Sequence, residues 1–311
     1  FQVPALRMQT AFMPDTPYAI VTLGDIRGGA GSGIGGTMVV QEQPGGVLYL
    51  YGLVSGLEES VQGGWHVHVG YECSTDADTG VGGHYMDAAG NDPWMADSYA
   101  ADANGVAMVT RTVTGFSLNG ERPVAGRAIV FHAENGDKVG CGIITPSAAK
   151  LTIVGGYPGY SGELVIKGLL HTMDTPAGLR LGGTLTGLEA GVTGGWHVHA
   201  GFSCDDADDV FGHYTLSDGD DPWDTVTYSA DGNGVAQIDE TMRLYSVGLV
   251  DKYPVIGRAI VVHATDGPKT RAACGIIGGV AGGVKSAMVK IYGYPSTGNP
   301  AFDPAAHVRG A

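Results

Sequence analysis

Ten histidines occur in the 311 residues, and eight of them fall at matching places in two copies of one pattern. His66, His68, His84 and His132 form the first set, and His197, His199, His213 and His263 the second. His171 and His307 stand outside both. His66 and His68 are two residues apart in an alternating run, as are His197 and His199, and in an extended strand such residues share a face. Two imidazoles on one face, joined by two from other segments, make an all-nitrogen metal site. Imidazole suits zinc, copper, iron and nickel, so the residue types alone leave the metal open. A lone histidine reads as an ordinary surface or core residue; eight in register read as ligands.

An internal repeat carries these sets. GGWHVHVG at 63–70 returns as GGWHVHAG at 194–201. Cys73 matches Cys204, the HY pair at 84–85 matches 213–214, and Asp92-Pro93-Trp94 matches Asp221-Pro222-Trp223. ADANGVA, GRAIVFHA and CGII in the first copy return as ADGNGVA, GRAIVVHA and CGII. The period is too long for a solenoid, so each copy is a whole domain, one over 18–145 and one over 149–278. The tail at 285–311 holds AMVKIYGYP, which resembles KLTIVGGYP at the opening of the second copy. A third copy begins there and stops, which makes a homo-oligomer joined through this C-terminal strand one expectation.

The elements that must position the histidines read as strands. YAIVTL, TMVVQE, VLYLYGLV and GWHVHVG are β-branched or alternating runs, and Asn-Gly pairs at 104–105, 119–120, 135–136 and 233–234 signal tight turns. No segment holds a helical period. The expected architecture is all-β, an antiparallel sandwich or barrel in each copy. GAGSGIGG at 29–36 leads into a strand, so it lacks the context of a dinucleotide loop. Asp76-Ala77-Asp78 and the acidic run at 205–209 lack the terminal Glu of a calcium loop and read as solvated turns. Trp65 and Trp196 read as packing residues.

The formal net charge is −15, with only 17 Lys and Arg, and no basic run occurs, which argues against nucleic acid and anionic membranes as partners. No apolar run approaches a membrane span. The chain opens at Phe1 without a Met, which fits a processed or trimmed form. Four cysteines permit three pairings.

GWHVH, a Cys, GGHY or FGHY, AD-x-NG-x-A, GRAIV-x-HA and CGII, in that order and twice over, resemble the copper/zinc superoxide dismutases. The resemblance covers nearly all of both copies and implies Greek-key antiparallel β-sandwich or barrel domains. By position, His66, His68 and His132 resemble the copper ligands and His84 the histidine that bridges to zinc; His197, His199, His263 and His213 take those roles in the second copy. The resemblance selects the disulfides Cys73–Cys141 and Cys204–Cys274, each closing a loop that contributes roughly 4 kcal/mol in the chain-entropy model. Paired cysteines imply an oxidising compartment, hence a secreted or extracellular protein.

The chain departs from the family in two ways. No histidine lies between His84 and Asn104 or between His213 and Asn233, so the zinc ligands are missing and one copper per domain with no zinc is expected. The segments from His132 to Cys141 and from His263 to Cys274 are short, so the family's long charged loop is nearly gone. Both losses resemble the copper-only, tandem-repeat members of the family. The missing metal leaves the far nitrogens of His84 and His213 needing a partner. Asp92 and Asp221 are candidates, although a DPW triplet is also an ordinary turn. The family's anion-guiding arginine falls at Arg271 in the second copy and is Lys138 in the first, which keeps the charge but not the planar fork. Three functions compete: an enzyme disproportionating superoxide, a copper carrier or store with little turnover, and an assembly-forming extracellular protein that kept the fold.

Overall fold

The computed structural model describes residues 17–26, 33–74, 80–216, 218–243, 247–265 and 270–279. The tail at 285–311, His307 and Asp76–Asp78 lie outside them. No α-helix occurs among the described residues, and a single 3-10 turn, Asp208–Val210, interrupts the strands.

Nine strands come from the first copy: β1 (Tyr18–Asp25), β2 (Gly35–Gln43), β3 (Val47–Ser55), β4 (Gln62–Val67), β5 (Ser98–Ala100), β6 (Ala107–Thr114), β7 (Ala128–His132), β8 (Lys138–Ile143) and β9 (Thr145–Ser147). The second copy supplies β10 (Lys150–Gly156), β11 (Lys167–Thr175), β12 (Gly178–Thr186), β13 (Thr193–Val198), β14 (Thr227–Ser229), β15 (Ala236–Met242), β16 (Val247–Gly248), β17 (Tyr253–Pro254), β18 (Ala259–His263) and β19 (Arg271–Ile276). The first sheet runs β5-β4-β7-β8-β1-β2-β3-β6, with β9 also on β1. The second runs β14-β13-β18-β19-β10-β11-β12-β15, the same order strand for strand. The pairs within both are antiparallel, and each sheet curls into a nearly closed barrel. A short parallel pair, β16 with β17, adds to the second copy.

Each barrel is filled by its inward residues. Leu48, Leu50, Val54, Trp65, Trp94 and Phe131 share the first core, and Leu181, Leu185, Trp196, Trp223 and Val262 the second. The alternation expected for half-exposed strands fails on β3, where every residue after Val47 is buried. The reason is a second apolar layer. Tyr49 and Tyr51 point away from the barrel core and pack with Tyr18, Ile20 and Val39 against Ala149, Leu151, Ile153 and Leu169 of the other copy. The two barrels therefore meet face to face, and both faces of β3 leave water. Thr184 Oγ1 donates to Gln237 Oε1 at 2.9 Å, so Thr37 is the donor in its 3.0 Å contact with Thr184 across the same layer. His171, outside both histidine sets, lies on β11 paired with Leu151 and lines the inter-domain cleft beside Met173.

The cysteines close Cys73–Cys141 and Cys204–Cys274, with Cα atoms 5.7 and 5.9 Å apart. Each bridge ties the loop after the HxH strand to β8 or β19, the strand next to the one ending in His132 or His263.

Candidate metal centres

The HxH strands β4 and β13 pair with β7 and β18, which bring His132 and His263 alongside. Isolated antiparallel bridges His68–His84 and His199–His213 add the remaining member of each set. In both copies the strand register slips at the last residue, between Phe131 and His132 and between Val262 and His263. Such a bulge re-aims a side chain. It also sets Lys138 opposite His132 and Arg271 opposite His263 in the ladder.

The result is two groups of four histidines, in each of which one ring nitrogen per residue lies within 4.8 Å of the others, so each could hold a metal ion. Ring centroids are 4.0 Å apart for His66–His84 and 4.2 Å for His197–His213. His66–His132 and His197–His263 stand at 4.9 and 4.7 Å. The copies thus hold the same geometry to a few tenths of an ångström.

Hydrogen bonds identify which nitrogen faces the cluster. His68 Nδ1 donates to Gly82 O at 2.8 Å, and His199 Nδ1 to Phe211 O at 3.0 Å. His132 Nδ1 donates to Gly136 O at 3.0 Å. A carbonyl only accepts, so these Nδ1 atoms carry the proton and their Nε2 atoms present lone pairs. His68 Nε2 and His132 Nε2 consequently face one another at 3.3 Å, acceptor to acceptor. That arrangement is unfavourable unless a cation lies between them.

His66 and His197 are turned the other way. Their Nδ1 atoms are buried without a hydrogen-bond partner. Their Nε2 edges lie over the preceding glycines: a Cβ on Gly64 would come within 2.8 Å of His66 Cε1, and one on Gly195 within 2.9 Å of His197 Nε2. The other glycine of each pair makes room for a tyrosine. A Cβ on Gly63 would strike Tyr99, whose hydroxyl donates to His132 O at 2.8 Å, and Gly194 does the same for Tyr228 and His263 O at 2.9 Å. The doubled glycine before each Trp-His is thus a packing requirement of the site.

The DPW triplets form a latch. His84 Nδ1 donates to Asp92 Oδ2 at 2.6 Å, and His213 Nδ1 to Asp221 Oδ2 at 2.5 Å. The other carboxylate oxygen accepts from Trp94 N or Trp223 N, both at 2.9 Å. The indoles then donate to Tyr85 O and Tyr214 O, next to the same histidines. Burial pushes the Asp92 carboxyl up, but the bonds from His84 and Trp94 outweigh it, and its pKa is lowered.

Burial lowers the His66 pKa to about 3, aided by the neighbouring imidazoles, and that of His199 to about 3. His68 and His197 fall to about 4, with burial again the first cause. Lys138 adds to the lowering at His68 and His132, and Arg271 at His199, so both cations reach the histidines electrostatically. Neutral imidazoles are the metal-binding form, and these groups are neutral well below pH 6.

Around the second group opens a cavity of about 660 Å³ that also takes in Thr193, Thr227, Thr265, Asp224 and Arg271. Asp224 joins His213 and Asp221 in a third group close enough to share an ion; Met95 holds the matching place in the first copy. Sequence reading missed Asp224, Tyr99 and Tyr228, although comparing the copies residue by residue exposes the Asp224–Met95 difference.

No protein-family model matches the chain, and no curated protein does. Among solved structures, that of the clock protein EA4 is similar over 43% of this chain and 97% of its own, at 20% identity and a TM-score of 0.34.

Proposed function

We propose that this is a secreted copper protein with two Greek-key domains of the copper/zinc superoxide dismutase type, each disproportionating superoxide at a mononuclear four-histidine site without zinc. The observation that carries the reading is the orientation of the rings: in the first copy, Nδ1 of His66 and Nε2 of His68, His84 and His132 converge, with each remaining nitrogen of the last three fixed by an acceptor. Four neutral nitrogens and no thiolate or carboxylate in the set suit copper as they suit zinc, iron and nickel, and the resemblance to the copper/zinc superoxide dismutases is what favours copper among these. When bound, copper supplies a one-electron couple: one superoxide gives up an electron and leaves as O2, and a second takes it with two protons and leaves as H2O2.

The chain's own residues supply the rest. Asp92 and Asp221 hold the bridging-type histidines in one tautomer. Lys138 and Arg271 set a positive charge beside each site in a chain that is otherwise acidic, which favours the approach of a small anion. Two disulfides favour an extracellular setting. The runner-up, a copper carrier or store with little turnover, draws support from Lys138, which replaces the arginine fork in the first copy. Superoxide decay per bound copper, followed by pulse radiolysis, separates the two. The proposal expects rapid, copper-proportional decay, and stoichiometric copper with decay no faster than free buffer would overturn it.

A further inference from the structure

Arg271 makes a contact that the first copy lacks the residues to repeat. Its Nη1 donates to the Tyr157 hydroxyl at 2.9 Å, and that hydroxyl donates onward to Ala207 O at 3.1 Å. The Tyr157 ring packs on the cluster behind the second disulfide, with Val210, Ala259, Val261 and Cys274. In the first copy the same cluster is Val81, Ala128, Val130 and Cys141, and the residue packed there is Ile26. The two backbones correspond, since Tyr157 N bonds to Ala272 O and Ile26 N to Val139 O, each one residue past the cation. So the repeat offers two matched pairs, Tyr157 with Arg271 and Ile26 with Lys138. An isoleucine has no acceptor for a cation.

We propose that Tyr157 is a positioning residue that holds the Arg271 guanidinium in one orientation at the rim of the second histidine cavity, where it strengthens the binding of small inorganic anions. The value of such an anion site rests on the superoxide reading above; the restraint on Arg271 does not. Both hydrogen-bonding roles of the hydroxyl are used, so it cannot turn away without losing a bond. Ala207 immediately precedes the Asp208–Val210 turn, which leads to Phe211, whose carbonyl accepts from His199 Nδ1. One hydroxyl therefore ties the cation, the turn and the ring orientation of a site histidine together. Arg271 also separates two cavities, lining the histidine cavity on one side and a groove with Tyr157 and Tyr160 on the other. Without the tyrosine the side chain has room to swing between them, whereas a planar fork recognises an anion only when it is held in place.

Tyr157→Phe tests this in the full chain, because it keeps the ring in its cluster and removes only the hydroxyl. In metal-free protein, nitrogen NMR of the Arg271 guanidinium should show restricted rotation in the parent and free rotation in Tyr157→Phe. In copper-loaded protein, azide is titrated by its charge-transfer absorbance, with His132→Ala used to leave the second site alone to load. Tyr157→Phe should weaken azide about fivefold there, the loss of roughly one hydrogen bond. With His263→Ala instead, so that only the first site loads, the double substitution Ile26→Tyr with Lys138→Arg should strengthen binding there by a similar factor. Unchanged Arg271 rotation, or equal azide affinity with and without the hydroxyl, would overturn the proposal. Failure of the chain to hold copper would instead sink the superoxide reading, while the metal-free measurement still decides the role of Tyr157.

Discussion

His84 Nδ1 and Asp92 Oδ2 stand 2.6 Å apart, and His213 and Asp221 repeat the pair at 2.5 Å. The carboxylate fixes the tautomer that presents Nε2 to the other three rings. Asp92→Asn keeps the shape but can offer its amide N–H to the ring, which favours the wrong tautomer. Metal affinity at the first group should fall about 10- to 100-fold, the usual cost of losing such a partner. Asp221→Asn should do the same at the second group and leave the first unchanged. Competition against a chelator of known affinity measures both.

Acid should destabilise the metal-free protein. His66 and His199 are lowered from 6.5 to about 3, and His68 and His197 to about 4. Between pH 6.5 and those values the unfolded chain binds the protons that the folded one refuses, so stability is present above pH 6.5 and declines as pH falls toward 3. Asp97 works against this. Burial raises it from 3.8 to about 6, partly offset by Arg111, so the folded chain binds its proton first and gains stability between those values. One opposing carboxyl against four histidines leaves a net loss. Urea midpoints at pH 7, 5.5 and 4.5 should fall in that order, and a midpoint that rises between pH 7 and 5.5 would contradict the buried, neutral rings.

Much of the site was legible in the sequence because histidine is scarce and the repeat printed it twice. The strand spacing of His66 and His68 placed both on one element, and the repeat words placed the rest in register. What was not legible depends on rotation about side-chain bonds and on contacts between copies. Nothing in GGWHVH says that the first ring turns its Nδ1 inward; that follows from the space over Gly64 and Gly195. Tyr49 and Tyr51 alternate with core leucines, and nothing in VLYLYGLV shows that the second barrel covers and buries them. Nothing in the GGYP run marks Tyr157 as the partner of Arg271, which lies 114 residues further along the chain.

Metal content follows from the ligand sets. Two four-histidine groups should take up two ions per chain. An ion at His213, Asp221 and Asp224 would have to displace the proton that now joins His213 to Asp221. The expected copper count after loading and dialysis is therefore two, read by elemental analysis. His66→Ala should lower it to one, with His197→Ala lowering it to one independently and the double variant to none. A count of three that drops to two in Asp224→Asn would assign the third group as a working site.

The face between the barrels carries the last prediction. Tyr18, Ile20, Val39, Tyr49 and Tyr51 form a contiguous apolar surface on the first barrel, covered by Ala149, Leu151, Ile153 and Leu169. Covering it removes large side chains from water at about 25 cal/mol per Å². A fragment ending at Ser147 would leave that surface bare, and a bare apolar patch of this kind drives association. The fragment should therefore self-associate in light scattering and bind a hydrophobic dye, whereas the full chain should not do so through this face. Val39→Lys with Tyr51→Lys in the fragment should restore a monomer, because the charges are solvated once the partner barrel is gone. The same pair in the full chain places two ammonium groups in the apolar layer with Leu151 and Leu169 and should lower the unfolding free energy by at least about 2 kcal/mol, as expected for burying unpaired charge. A fragment that stays monomeric with both residues intact would show that the face is less apolar in solution than its contacts imply.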